Sequence, residues 1–388
     1  MKSWKVTISS LIVLIICMGQ VNAKPGKGGG KPGGEDPPAV TSCAGFSSAF
    51  PAFVFNQVKL GRKGTISGYD IFLSNKDGDC TVKLASVSDN SDKIDLKLKV
   101  NGSSGIVVWR QTSDENGSKR DYSNRHDVIR SINFQVNSKE VTSVSSVQTL
   151  ANSGTRDIEY LAIDLSSDAN TLLVVSAQPN TSGSYFGTVN EMDISSCSSN
   201  CSMSSVYTET PDAILFDVKY NDSDNRIYLL GYHRHFSGNG ALAGMGYISL
   251  IENQGGFWSA PRFVTLENNG FYGSDHSYPY PFKHLDVATV DLGSGPVEAI
   301  TYTFYNPSSS QFDVHVMDVG SCSVSGSGDC LIMGEASIEA TVADATTASL
   351  TSNSMRFASG SSSSIFEYSF SSQNLRPIGS GYETDDVN

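Results

Sequence analysis

The sequence predicts an all-β fold, a single-domain β-propeller of six four-stranded blades. Short runs of Val, Ile, Tyr, Phe and Thr alternate with clusters of Gly, Asn, Asp and Ser, and almost no segment has helical periodicity. A strand unit of four parts recurs along the chain. Its most apolar part, the second strand, restarts 53, 66, 55, 71 and 57 residues after the previous one, a period longer than the forty-odd residues of a lean blade, with the excess in loops.

The second strands are AFVFN from Ala52, GIVVWR from Gly105, TLLVVS from Thr171, RIYLLGY from Arg226, VEAITYTFY from Val297 and SMRFAS from Ser354. Third strands follow from Gly68, Val128, Tyr185, Gly244, Phe312 and Ser364. The fourth strands are TVKLA after Cys80, SVSSVQTL, MSSVYTE, PRFVTL, LIMGEASI and NLRPIG. First strands are visible in five units, as in IEYLAIDL, AILFDVKY and LDVATVDL. The first unit has none, so residues 41–50 or the C-terminal end must supply it. Sheets this thin bury their faces only by packing side by side around an axis, which favours a ring over a large sandwich or a β-helix.

Ahead of the repeats, residues 1–23 carry Lys2 and Lys5, an apolar run from Ile8 to Met18 and a small residue at Ala23. That is the pattern of a secretory signal peptide, too short in its apolar part for a membrane helix. Ile16 before Cys17 does not suit lipidation. Residues 24–40 (KPGKGGGKPGGEDPPAV) read as a flexible linker, 41–381 as the propeller domain and 382–388 as a frayed tail. The expected location is the periplasm or the medium, without membrane insertion after cleavage.

Loss of Lys2 and Lys5 takes the formal charge from −13 to about −15. Such a surface repels phosphate backbones, which disfavours nucleic acid as a partner. Six cysteines remain after Cys17 is removed. In an exported chain they read as disulfides, and proximity suggests Cys43 with Cys80, Cys197 with Cys201 and Cys322 with Cys330. Sequons stand at Asn101, Asn116, Asn180 and Asn200.

The repeat details carry a resemblance. IDLSSDANTLLVVS from Ile163 is similar to the strand, acidic turn and strand of WD-type repeats in TolB-like propellers. GYDIFLSNKDGDCTVKL from Gly68 resembles their outer hairpin, with Asn75, Lys76, Asp77 and Gly78 in its turn. Ser167-Asp168-Ala169 lacks the proline and glycine of that pattern, and Asn221 to Asn225 and Gly293 to Pro296 depart further. The resemblance implies a binding scaffold and assigns no catalytic residue.

The segment FYGSDHSYPYPFKHLD brings Phe271, Tyr272, Asp275, His276, Tyr278, Tyr280 and His284 into one inter-blade connection, where aromatic faces suit sugar rings or apolar side chains. Trp258, after Gly255-Gly256, is a further ligand-binding candidate, whereas Trp109 reads as core. An Ω-type loop packed on its own aromatics is the structural alternative for the segment. No cofactor is required. Calcium would suit the oxygen-rich turn Asn221 to Asn225, and a divalent metal would need His233 and His235 with His276 or Asp275.

Asp95, Asp157, Asp164, Asp217, Asp286, Asp291 and Asp344 lie in or beside first strands, which line the channel of a propeller, so two of them could serve a carbohydrate hydrolase as acid and base. No serine-nucleophile elbow, phosphate loop or dinucleotide fingerprint is present, since each needs a strand feeding a helix. The leading expectation is therefore a non-catalytic scaffold binding a protein or glycan through one face. The alternative is a hydrolase acting through channel carboxylates.

Overall fold

The computed structural model describes residues 52–380 and 384–386, except for 61–65, 77, 79, 88–93, 115–124, 138–139, 155–157, 180–184, 198, 209–212, 222–224, 234–244, 269–281, 294, 307–310, 321, 323–337, 343–344 and 360–363. Every regular element among them is a β-strand, and the strands form six antiparallel sheets arranged as a six-bladed propeller. Blade 1 contains β1 (Phe53–Leu60), β2 (Ile66–Ser74) and β3 (Thr81–Val87). Blade 2 contains β4 (Asp95–Asn101), β5 (Ser104–Asp114), β6 (Arg125–Val136), β7 (Val141–Val144) and β8 (Gln148–Asn152), its outer strand being split so that β7 and β8 both pair with β6.

Blade 3 runs through β9 (Glu159–Leu165), β10 (Thr171–Pro179), β11 (Tyr185–Asp193) and β12 (Met203–Thr208). Blade 4 runs through β13 (Ala213–Asn221), β14 (Arg226–His233), β15 (Met245–Glu252) and β16 (Arg262–Asn268). Blade 5 has β17 (Phe282–Asp291), β18 (Pro296–Asn306), β19 (Gln311–Asp318) and β20 (Ile338–Val342), and blade 6 has β21 (Ala345–Thr351), β22 (Ser354–Ser359), β23 (Ser364–Ser369) and β24 (Leu375–Ser380). The six apolar segments named from the sequence all occupy the second position of a sheet.

The fourth strand of blade 5 is described at Ile338–Val342, and residues 331–337 of LIMGEASI lie outside the described residues. One sequence expectation is corrected. The chain end is not wholly frayed, because β25 (Thr384–Asp386) pairs with Phe53–Phe55 of β1 and supplies the missing first strand of blade 1. It lies between β21 and β4, the inner strands of the two flanking blades. The ring thus closes by joining the two ends of the domain, which removes the last open inner edge.

Strand alternation fixes how blades meet. Leu172 and Val174 of β10 point toward blade 2, while Leu173 and Val175 point toward blade 4. The described core accordingly divides into one apolar cluster per blade interface, built around Trp109 and Ile132 between blades 1 and 2, and around Phe53 and Ile365 where blade 6 meets blade 1. Trp109 is fully buried and its indole N–H donates to Gln111 Oε1 at 2.8 Å. The repeat also extends to an irregularity: the pairing of third with outer strand slips at Ile71/Phe72, Ile129/Arg130, Val189/Asn190, Ile248/Ser249 and Ile365/Phe366, each giving the extra twist of a bulge.

Candidate functional site

Among the described residues, polar groups gather at the axis and in a groove between blades 2 and 3, besides ion pairs within single blades. At the axis, four of the acids read as channel candidates occupy inner strands and are nearly inaccessible: Asp95 is 7% exposed, Asp164 1%, Asp217 3% and Asp286 4%. Each carboxylate accepts a backbone N–H from the inner strand of the following blade. Asp95 Oδ2 takes that of Ile163 at 2.9 Å, Asp164 Oδ2 that of Tyr220 at 2.7 Å, Asp217 Oδ2 that of Leu285 at 2.6 Å and Asp286 Oδ2 that of Leu350 at 2.6 Å. Inner strands in a ring leave backbone donors facing a neighbour they do not pair with, and a buried donor needs an acceptor.

Two lysines complete this hub. Lys219 bridges Asp164 at 3.1 Å and Asp286 at 2.9 Å, joining blades 3, 4 and 5, and Lys97 lies 3.4 Å from Asp95. Four carboxylates against two ammonium groups leave an excess of negative charge in a dry place. Burial first, and then repulsion from Asp95, push the Asp217 carboxyl up to about 7, with Lys97 and two backbone N–H groups opposing. The signal in sequence for the lysines was a shared Asp-x-Lys, Asp95-Leu96-Lys97 in β4 and Asp217-Val218-Lys219 in β13, which places both charges on one strand face.

Of the other acids, Asp157 and Asp344 lie outside the described residues. Asp291 is exposed and caps its turn by accepting the N–H groups of Gly293 and Gly295. Phe271, Tyr272, Asp275, His276, Tyr278 and Tyr280 also lie outside the described residues, as do Asp77, Asp79, Asp222 to Asp224 and His235; His284 falls in β17 and His233 in β14 by backbone alone. Among the described residues no group of three or more His, Cys, Asp or Glu is placed to hold a metal ion.

Trp258 is half-buried, packed on the cluster between blades 3 and 4 and edge-on to Tyr220 at 6.4 Å. Its neighbour Phe257, in the Gly255-Gly256 turn, is the side chain held out to solvent, 80% exposed.

The groove holds about 550 Å³ and opens to solvent. Blade 2 supplies Lys99 and Asn101 from β4, Asn133 from β6 and Gln148 and Leu150 from β8. Blade 3 supplies the Asp168-Ala169-Asn170 turn and the stretch Ile194 to Cys197. That stretch belongs to a loop closed by the Cys197–Cys201 disulfide, and the N–H groups of Asn200 and Cys201 donate to Thr149 and Leu150 of blade 2, so the loop straps the two blades together along the groove. Asp168 is engaged by Ser166 Oγ at 2.6 Å and by the N–H and Nδ2 of Asn170, and these bonds hold its carboxyl below the usual range. Sequence reading had no signal for this groove, because its walls come from four separate strands and two turns. Cys80 and Cys322 are disulfide-bonded as well.

These features define the class as a six-bladed β-propeller whose axis is occupied by an ionic hub. No protein-family model matches the chain, and no curated protein matches it. Among solved structures it is similar to a chain of a nidogen/laminin complex, at 8% identity and TM-score 0.49, covering 87% of this chain and 98% of that one. It is similar to the periplasmic gluconolactonase PpgL of Pseudomonas aeruginosa at 12% identity and TM-score 0.40, covering 86% and 99%. AztD from Citrobacter koseri is a third, at 10% identity and TM-score 0.39, covering 87% and 98%.

Proposed function

We propose that the chain is an exported, non-catalytic scaffold that binds a protein or a glycan through one face of the ring, as the TolB-like and WD-type propellers it resembles do. One observation supports this reading above the others: Asp95, Asp164, Asp217 and Asp286 are buried and committed to backbone N–H groups of the next blade. A glycosidase needs two carboxylates free to face a scissile bond across an open pocket.

The second reading, a carbohydrate hydrolase, draws on Asp217, since a carboxyl held near 7 is what a general acid requires. The two separate in one assay. The secreted chain is incubated with a panel of oligosaccharides, and both retention and release of reducing ends are followed. Binding without release is the expected result; release that disappears in Asp217→Asn would overturn it.

A further inference from the structure

Among the described residues, several cations are paired. Lys59 and Lys83 meet Asp70, Lys97 meets Asp95, Lys219 meets Asp164 and Asp286, and Arg226 and Arg356 meet Glu252 and Glu367. Lys99, half-buried two residues beyond Lys97 on the same face of β4, makes no ion pair or hydrogen bond within the described structure. The side-chain amides of Asn101, Asn133 and Gln148, which line the same groove, likewise have no protein partner among the described residues. One ammonium and three amides converge on a cavity of about 550 Å³ over the apolar side chains of Ile106 and Leu150.

That combination fits a sugar whose ring hydroxyls exchange hydrogen bonds with amides and whose C–H face lies on an apolar floor. The lone ammonium adds a preference for a carboxylate. Pairing it is favourable because Lys99 is itself half-buried, whereas Asp168 and the overall charge of −13 repel a densely charged polyanion. We propose that the groove between blades 2 and 3 binds an acidic saccharide carrying isolated carboxylates, with Lys99 as counter-charge and Asn101, Asn133 and Gln148 as hydroxyl ligands. The inference rests on the scaffold reading and names its ligand class and its face.

The test is calorimetric titration of the secreted chain with a trigalacturonate and with its carboxyl-reduced counterpart. The acidic form is expected to bind at least about tenfold more tightly. Lys99→Met should erase that preference, Lys99→Arg should keep it, and Asn133→Ala should weaken both forms, with thermal midpoints confirming that the variants fold. Equal affinities, an unaffected Lys99→Met or no binding of either sugar would overturn the assignment of the groove. In those cases the scaffold reading survives on a different ligand. Cleavage of the trisaccharide, by contrast, would overturn the scaffold reading while the effect of Lys99→Met still reported on the groove.

Discussion

Two turn residues show how a position in the ring constrains a side chain. Gly78 turns β2 into β3 at φ 75°, and a Cβ placed there would stand 1.5 Å from the carbonyl oxygen of Ile378 in blade 6. Conformation and space therefore both exclude a side chain, at the seam where the ring closes. Gly78→Ala should lower stability by about 3 kcal/mol, with the denaturant midpoint as the readout, because the atoms a Cβ would meet are backbone and not the end of a flexible side chain. Ala169 presents the opposite case. It occupies the glycine position of the acidic turn in the resembling repeats, yet keeps φ 61°, a strained angle for any residue with a Cβ. Ala169→Gly should raise stability by about 1 kcal/mol, measured in the same way; an unchanged or lower midpoint would show that the packing of the Ala169 methyl on the cluster between blades 2 and 3 outweighs the strain.

At the scale of elements, the second strands were legible because both their faces are buried, so they read as unbroken runs such as TLLVVS and RIYLLGY. The closing strand was legible only as one of two alternatives, residues 41–50 or the C-terminal end, and the structure shows that it is the latter. Thr384-Asp385-Asp386 has no apolar alternation and two aspartates, which strands disfavour, and it pairs with the edge that β1 offers. The groove was hidden for a related reason, since nothing local tells Asn101 of β4 that Gln148 of β8 and Asn170 of blade 3 will stand beside it. The closure has a measurable consequence. Deleting residues 382–388 removes three paired positions, about 3 kcal/mol of backbone bonding, which for a chain of this size lowers the thermal midpoint by about 4 °C. Restoring Thr384 to Asp386 alone should recover it, and a deletion without effect would show that β25 does not close the ring in solution.

For the whole molecule, the hub couples blades 3, 4 and 5 electrostatically, because Lys219 ties together carboxylates of blades 3 and 5 from blade 4. The excess of acids over lysines has to be relieved somewhere, and Asp217 is the group whose proton affinity rises, from the ordinary 3.8 to about 7. The sign follows from proton counting. Below pH 3.8 both folded and unfolded chains hold the Asp217 proton; between 3.8 and 7 only the folded chain does; above 7 neither holds it. The folded state therefore binds more protons in that window, and stability falls as pH rises through it, levelling off above 7. Between pH 5 and pH 8 this one carboxyl should cost about 3 kcal/mol, at about 1.4 kcal/mol per unit. Asp217→Asn removes the titration while keeping an acceptor for Leu285 N–H, so its stability should be nearly flat over the same range where the wild type declines. Urea midpoints at pH 5, 6, 7 and 8 for both chains decide the matter. Parallel slopes would mean that the hub is charge-balanced without a proton on Asp217, and with it would go the physical basis for regarding that residue as a general acid.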